Sequence, residues 1–216
     1  KSGIVFSDKV IAVSPTYSNE IQTEFYGEGL DGLLKSKSHK LKGILNGIDY
    51  DLNNPLTDGD IFVNYDINSI ENKLKLQEVL GLDVNPDIPL IGIVSRLVSQ
   101  KGFDLISYMM PEIIRENLQV VILGTGEHQY QSMFNYYDSH FPNKVSARIT
   151  FDSAFAQQIY AGSDMFLMPS LFEPCGLSQM MSLRYGTIPI VRETGGLKDS
   201  VEPYDEYADT GTGFSF

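Results

Sequence analysis

The second half of the chain alternates short apolar runs with longer stretches whose apolar residues recur at helical spacing. The apolar runs predict five buried strands, at residues 90–94, 120–123, 147–151, 165–168 and 188–191. The stretches between and after them predict helices at about residues 104–116, 128–141, 154–161 and 177–185. Because parallel strands need crossover connections, this alternation is typical of a parallel sheet covered by helices on both faces. We therefore expect an α/β fold with a doubly wound, Rossmann-like parallel sheet.

The first eighty residues are less regular. Residues 9–14 predict a short buried strand, and Ser14 followed by Pro15 suits the start of a helix that runs to about residue 25. Residues 27–60 are rich in Gly, Asn, Asp and Pro, which predicts loops and a linker. A further helix is predicted over residues 70–80, with Gly81 as its stop. We place a domain boundary near residues 42–50.

Composition and charge exclude several classes of protein. Of the 216 residues 42% are hydrophobic, which is enough to bury a full core and argues against a disordered chain. The net charge of −12 repels nucleic acid, and no basic patch offsets it. The only cysteine, Cys175, cannot form an intrachain disulfide, and no run of about 18 apolar residues predicts a membrane span. The chain starts without Met or a signal-peptide pattern, so we expect a soluble, intracellular piece of a longer protein, without nucleic-acid or membrane partners.

The loop after the first strand of the predicted sheet suits an anion. Ligands of such sheets bind at the carboxyl ends of the strands, and this loop carries Arg96, Lys101 and Gly102 in an otherwise acidic chain. Arg can donate to two phosphate oxygens at once and Lys adds a compact charge, so the pair suits a diphosphate that gains charge as a bond breaks. The alternative is a solvated basic loop.

The loop after the second strand contains Gly124 and Gly126. This spacing resembles the start of a dinucleotide fingerprint, but Gln129 stands where the third glycine would be. A tight turn from strand to helix explains the glycines equally well.

The loop after the fourth strand combines an acid with free backbone donors. Pro174 holds Glu173 out of helical conformation, at the edge of the cleft. The N–H groups that follow form a helix N-terminus, which favours an anion; they belong to Cys175, Gly176, Leu177 and Ser178. An acid beside an anion site suits hydroxyl groups, so a sugar attached to a phosphate would fit both. The alternative is that Glu173 only complements the helix dipole.

The loop after the last strand exposes backbone through Thr194, Gly195 and Gly196. Taken alone it is a turn. Together with the other three loops it makes four candidate binding loops on one edge of the sheet.

Six segments spread over nearly the whole chain form a recognisable set: VSPTY at 13–17, LNGID at 45–49, VSRLVSQKG at 94–102, FEPCGLSQ at 172–179, YGTIP at 185–189 and TGGL at 194–197. Together they resemble segments of bacterial glycogen synthases and plant starch synthases. These enzymes are retaining glucosyltransferases with the two-domain GT-B fold. The resemblance implies transfer of glucose from ADP-glucose to the non-reducing end of an α-1,4-glucan. No metal or other cofactor is expected.

The resemblance also assigns roles to individual residues. It implies that Arg96 and Lys101 stabilise the leaving ADP, and that Glu173 holds hydroxyls of the donor glucose. The remaining predicted substrate-binding residues are Asn46 near the transferred sugar, Thr150 and Phe151 at adenine, and Gly124, Cys175, Gly176, Leu177, Ser178, Thr194, Gly195 and Gly196 in the sugar and phosphate cradle. Related retaining enzymes carry a second Glu where this chain has Met181, so a ribose-binding carboxylate is not expected.

The domain organisation follows from the same resemblance. Residues 1–43 are expected to be the tail of an N-terminal acceptor domain and its linker, and residues 44–216 a nucleotide-sugar-binding domain that is incomplete at its C-terminal end. Without the acceptor domain the chain should bind ADP or ADP-glucose weakly and should not elongate a glucan. The expected location is the cytoplasm of a bacterium, or the plastid if the protein comes from a plant.

Two rival functions and one metal site stay open at this point. A nicotinamide-dependent oxidoreductase shares the doubly wound sheet, and a non-catalytic ligand-binding module is compatible with a partial chain. The acidic triplets that begin at Asp49 and Asp58 could hold a divalent ion, but aspartates are favoured in turns, which is the role we expect for them. Cys175 has no His near it in sequence that would activate it as a nucleophile.

Overall fold

The computed structural model describes residues 1–66 and 69–216, which form short strands and helices in alternation. The strands are β1 (Val10–Ala12), β2 (Leu41–Gly43), β3 (Leu90–Val94), β4 (Gln119–Leu123), β5 (Val145–Arg148), β6 (Met165–Met168), β7 (Ile188–Val191) and β8 (Phe214–Ser215). The α-helices are α1 (Ser2–Phe6), α2 (Pro15–Glu20), α3 (Asp31–Ser36), α4 (Ile70–Leu80), α5 (Phe103–Ile113), α6 (His128–His140), α7 (Ser153–Gly162), α8 (Ser178–Arg184) and α9 (Gly195–Ser200). None of these helices is both long and apolar enough to cross a bilayer.

Six of the strands form one parallel sheet in the order β5-β4-β3-β6-β7-β8. The chain builds outward from β3 in one direction and then returns to continue from β6 in the other. This reversal opens a crevice at the carboxyl ends of β3 and β6, where doubly wound sheets bind their ligands. The predicted α/β class and the parallel sheet are confirmed.

The core lies on both faces of this sheet. One face is covered by α5 and α6, whose Phe103 and Phe134 are fully buried and pack edge to face. On the other face α4 packs against α7. A Cβ at Gly162 would lie 2.9 Å from a methyl carbon of Leu76, so the two helices approach closely because this residue has no side chain.

Helix caps account for several of the element boundaries. At the start of α4 the hydroxyl of Ser69 accepts a hydrogen bond from the N–H of Asn72 at 3.2 Å. Helix α4 stops at Gly81, which has left-handed conformation, as the sequence predicts. The start of α2 at Ser14 and Pro15 is likewise confirmed. This helix ends at Glu20 rather than near residue 25, because the N–H of Thr23 turns back onto the carbonyl of Glu20.

The structure differs from the sequence prediction in the position of one strand and in one segment that was predicted to be loops. The predicted strand 147–151 lies instead at Val145–Arg148, because its ladder with β4 ends at Arg148 and the N–H of Thr150 bonds back to the carbonyl of Arg148. Thr150 and Phe151 therefore lie in the loop beyond the strand. Residues 27–60, predicted to be loops, contain α3 and β2, and the latter pairs in parallel with β1. Strand β8 and helices α1 and α9 were not predicted either.

The N-terminal segment, residues 1–43, contacts the domain of the six-stranded sheet through a pair of helices. Its two strands form a separate two-stranded sheet, and α2 packs against α9. The carboxylate of Asp199 accepts hydrogen bonds from both the N–H and the hydroxyl of Thr16, at 2.8 and 2.6 Å. This contact joins two segments that are far apart in sequence close to the carboxyl edge of the sheet.

Candidate functional site

The loops that follow β3 and β6 are fastened to each other at the crevice. The N–H of Leu171 donates to the carbonyl of Gln100 at 2.9 Å, and the side-chain amide of Gln100 donates to the carbonyl of Phe172 at 3.2 Å. Gly102 has a φ of +77°, and a Cβ there would collide with the carbonyl oxygen of Pro169. The residues that flank these contacts, Lys101 and Glu173, are therefore brought to the same place.

Lys101 and Glu173 form an ion pair at the mouth of the sheet. Nζ of Lys101 lies 2.5 Å from Oε2 of Glu173, and their side chains are only 16% and 9% exposed. The hydroxyl of Ser170 donates to the same carboxylate oxygen at 3.1 Å. A cation and an acceptor held together in a partly dry site can serve a ligand that carries both negative charge and hydroxyl groups.

The backbone of Glu173 is held from behind by the loop that follows β7. The N–H of Gly196 donates to the carbonyl of Glu173 at 2.9 Å. Gly195 has a φ of +45°, and a Cβ on it would collide with that same carbonyl. The paired glycines thus pack against the main chain of the acid, and their direct contact with a ligand stays a prediction.

A cavity of about 430 Å³ opens at the same carboxyl edge of the sheet, although neither Lys101 nor Glu173 is among the residues that line it. Six of the predicted site residues line it: Arg96, Gly124, Thr150, Phe151, Leu177 and Ser178. Phe151 is 89% exposed, so its ring presents a free face at the rim, and Arg96 is also exposed. Tyr160 lies on the buried wall, and burial raises its pKa to about 12. A cationic rim with an exposed ring over a mostly apolar wall suits a nucleotide.

The glycines after β4 have a structural explanation. A Cβ on Gly124 would collide with the carbonyl oxygen of Ser95, and one on Gly126 with that of Leu97. The N–H of Leu97 donates to the carbonyl of Thr125 at 2.9 Å, so the two loops run side by side. This spacing serves contact between loops, and Gly124 also lies on the cavity wall.

The backbone after Glu173 offers several free donors. Within the described residues, the N–H groups of Cys175, Gly176, Leu177 and Ser178 donate no hydrogen bond to another residue. Gly176 has a φ of +72° and Cys175 is buried. Helix α8 begins at Ser178, one residue after the predicted start. Leu177 and Ser178 also line the cavity, so phosphate or hydroxyl oxygens of a ligand there could accept from these donors.

Some predicted residues lie apart from the 430 Å³ cavity. Asn46 is exposed and lines a separate cavity of about 530 Å³, together with Tyr50, Met180 and Arg184. Thr194 lies behind the loop of Glu173 with the paired glycines and is buried. The structure therefore brings Lys101 and Glu173 together, but neither of them lines the 430 Å³ cavity, and Asn46 lines a different one.

The acidic triplets form turns. The carboxylate of Asp49 accepts from the N–H groups of Asp51 and Leu52, and that of Asp58 from the N–H of Asp60. The hydroxyl of Tyr185 also donates to Asp58. In residues 1–66 and 69–216 no three His, Cys, Asp or Glu side chains come close enough together to hold a metal ion.

Sequence reasoning missed several residues at the site. Ser170 and Gln100, which hold Glu173 and its loop, were not singled out, although both lie on loops at the predicted edge of the sheet. Gln157 and Met181 line the cavity. Met181, where the sequence analysis expected no ribose-binding carboxylate, gives the wall an apolar side chain, and no signal in the sequence pointed to Gln157.

Comparison with protein families places the chain in a known class. The family described as "Glycosyl transferases group 1" matches residues 79–216, and the chain belongs to this family. The family described as "Starch synthase catalytic domain" matches residues 1–36.

Individual relatives narrow the likeness. Glycogen synthase of Clostridioides difficile (strain 630) is 72% identical over all of this chain and 46% of its own length, and that of Thermotoga maritima 58% identical over all of this chain and 45% of its own. The catalytic domain of starch synthase IV from Arabidopsis thaliana, bound to ADP and acarbose, superposes with a TM-score of 0.91 at 40% identity, over 99% of this chain and 45% of that one. The resemblance to glycogen and starch synthases is confirmed, and the chain spans less than half the length of these relatives.

Proposed function

We propose that this chain is the donor-binding half of a glycogen synthase that transfers glucose from ADP-glucose to the non-reducing end of an α-1,4-glucan, with retention of configuration. The observation that carries the proposal is the Lys101–Glu173 ion pair at the carboxyl edge of the sheet, the same edge at which Arg96 and Phe151 line a cavity. The names of the relatives and the ADP and acarbose bound by the plant starch synthase support it. In a bacterium such an enzyme would act in the cytoplasm.

The catalytic task of this half is electrostatic. When the bond between glucose C1 and ADP breaks, negative charge accumulates on the diphosphate, while the 4-hydroxyl of the acceptor attacks from the face that ADP leaves. Arg96 is exposed at the rim of the cavity and can donate to two phosphate oxygens, and Lys101 adds a second positive charge. Once the bound diphosphate has drawn Lys101 from Glu173, both cations contact it before the bond breaks, and contacts that strengthen as the charge develops lower the barrier rather than only tightening binding.

The donor sugar is assigned to Glu173 and the backbone beside it. Once the diphosphate attracts Lys101, an oxygen of the carboxylate becomes available to accept from glucose hydroxyls. The unpartnered N–H groups of Cys175 to Ser178 would donate to the remaining sugar or phosphate oxygens. This arrangement explains why an acid lies beside an anion site.

The adenine is assigned to the loop beyond β5. The exposed ring of Phe151 offers a surface for stacking, and Thr150 lies beside it on the wall of the cavity. Met181 gives the ribose end of the cavity an apolar wall instead of a carboxylate. Asn46 lines the other cavity, and its contact with the transferred glucose stays a prediction.

The chain divides into two functional parts in this proposal. Residues 1–43 belong with the acceptor-binding half of the enzyme, and residues 44–216 bind the donor. The isolated chain should therefore bind ADP without elongating a glucan. Measurable incorporation of labelled glucose into glycogen by the isolated chain would contradict this division.

Calorimetry on the chain with ADP, UDP and NADH tests the class of ligand. Selective binding of ADP supports the synthase, whereas selective binding of NADH would support an oxidoreductase and no binding a non-catalytic module. In the full-length protein, K101A should lower kcat for glucose transfer by about 10²–10³-fold. Lys75 lies exposed on α4 and pairs with Glu78, so K75A is the matched control and should leave kcat unchanged. Activity in EDTA should persist, because no step requires a metal.

A further inference from the structure

The last residue of α2 reaches into the loop that supports the donor site. Oε1 of Glu20 accepts hydrogen bonds from the N–H of Gly195 at 2.9 Å and from the hydroxyl of Thr194 at 3.1 Å. The second carboxylate oxygen, Oε2, is buried and has no hydrogen-bond partner among the described residues. Glu20 belongs to the N-terminal segment, 175 residues before Gly195 in sequence. A carboxylate in this position restrains the backbone of the loop at Thr194 and Gly195.

Only the glycine backbone separates Glu20 from the carbonyl of Glu173. A Cβ on Gly195 would collide with that carbonyl and would lie 3.6 Å from Oε2 of Glu20. The next N–H, that of Gly196, donates to the same carbonyl at 2.9 Å. A displacement of Glu20 is therefore passed to Glu173 without any flexible side chain to absorb it.

We propose that Glu20 is a positioning residue for glucosyl transfer, which fixes the main chain of Glu173 and thereby the alignment of its carboxylate with the donor sugar. The inference rests on the proposed function. It makes the N-terminal segment part of the donor site through one carboxylate, although no residue of that segment lines the 430 Å³ cavity. Because Arg96 and Phe151 lie on other loops, recognition of the nucleotide should be independent of Glu20.

Three substitutions in the full-length synthase distinguish the effect of the length of the Glu20 side chain from that of its charge. E20A removes both hydrogen bonds, and E20D keeps the charge but shortens the side chain by about 1.5 Å. E20Q loses the charge but keeps an acceptor oxygen at the same reach. We expect E20A and E20D to lower kcat for glucose transfer by about tenfold, because a small misplacement of a positioning group is costly, and E20Q to stay within about threefold of wild type.

A second contact between the same two helices supplies the control. T16V removes the hydrogen bond from the Thr16 hydroxyl to Asp199 but leaves the contact between Glu20 and Gly195 in place. It therefore weakens the contact between α2 and α9, as the Glu20 variants do, without affecting the position of Glu173. Affinity for ADP, measured by calorimetry on each full-length variant, should stay within about threefold of wild type, because ADP lacks the sugar that Glu173 aligns. T16V should lower the melting temperature about as much as E20D and leave kcat close to wild type.

The outcomes are distinct. A drop in kcat for E20D with ADP affinity unchanged, and with E20Q near wild type, supports the positioning role; E20D and E20Q decide the matter even where E20A fails to fold. If kcat falls equally in T16V and E20D, or if all Glu20 variants stay within twofold of wild type, the inference is overturned. A wild-type enzyme that neither binds ADP nor transfers glucose would instead contradict the proposed function.

Discussion

Breaking the ion pair between Lys101 and Glu173 should affect the stability of the protein and its catalytic activity in different ways. Two unit charges 2.5 Å apart attract by about 7 kcal/mol at an effective dielectric constant of 20, and desolvation of the two largely buried groups offsets much of this. K101M keeps most of the volume but leaves the carboxylate of Glu173 with only the Ser170 hydroxyl. We expect K101M to lower the free energy of unfolding by about 3 kcal/mol. The double variant K101M/E173Q, which removes both charges, should recover about 2 kcal/mol of that loss.

Activity should not recover with stability. The leaving diphosphate lacks the Lys101 charge in both variants, so glucose transfer should stay about 10²–10³-fold below wild type in each. Urea unfolding and incorporation of labelled glucose, both on the full-length protein, measure the two quantities. If the stability losses of K101M and E173Q simply add in the double variant, the pair is not coupled and the reasoning is wrong. An activity loss below about tenfold in K101M would remove Lys101 from the proposed catalytic role.

Three further predictions test single features. G102A should cost at least about 1 kcal/mol more stability than G81A in urea unfolding, because both residues have a φ near +70° but only Gly102 faces a backbone oxygen, that of Pro169; equal losses would contradict this. F151A should weaken ADP binding about tenfold in calorimetry without lowering the melting temperature, because its ring is 89% exposed, and unchanged affinity would argue against stacking. The folded pKa of Tyr160, about 12, lies above its unfolded value near 10, so its contribution to stability is lost as pH rises; between pH 10 and 12 wild type should lose about 2–3 kcal/mol relative to Y160F, and parallel pH profiles of stability would refute this.

The sheet could be predicted from the sequence because its strands are short apolar runs that alternate with helices. The predicted strand 147–151 was misplaced because Ile149 and Phe151 continue the apolar alternation of Val145 and Ala147 beyond Arg148, where the ladder with β4 stops. A ring that is left exposed at the rim of a cavity cannot be told from a core ring by hydrophobicity alone. Local pattern therefore fails where an apolar side chain serves a ligand site instead of the core.

The predicted loop of residues 27–60 was incorrect for a different reason. Strand β2 is three residues long and ends in Gly43, where a Cβ would collide with the backbone of Ser14 and Pro15. Its pairing with β1 depends on that close approach between distant segments rather than on strand-forming residues. Tertiary contact overrides local propensity in elements this short.

The site was predictable to the level of its loops but not of its contacts. The topology rule brought the loops of Lys101 and Glu173 to the same edge of the sheet. Their pairing across 72 residues of sequence, and the packing of Gly195 against the carbonyl of Glu173, depend on how far each loop extends. The distances within the site required coordinates for that reason.

The mutual neutralisation of Lys101 and Glu173 affects how an anionic donor reaches the crevice. Because the two charges cancel before the donor arrives, the pair adds no local attraction, and a chain with a net charge of −12 repels the approaching nucleotide over longer distances. Mobile ions screen that repulsion beyond about 8 Å at physiological strength, while short contacts inside the crevice are screened much less. Moderate salt should thus speed the encounter of donor and chain, the reverse of what an electrostatically steered enzyme displays.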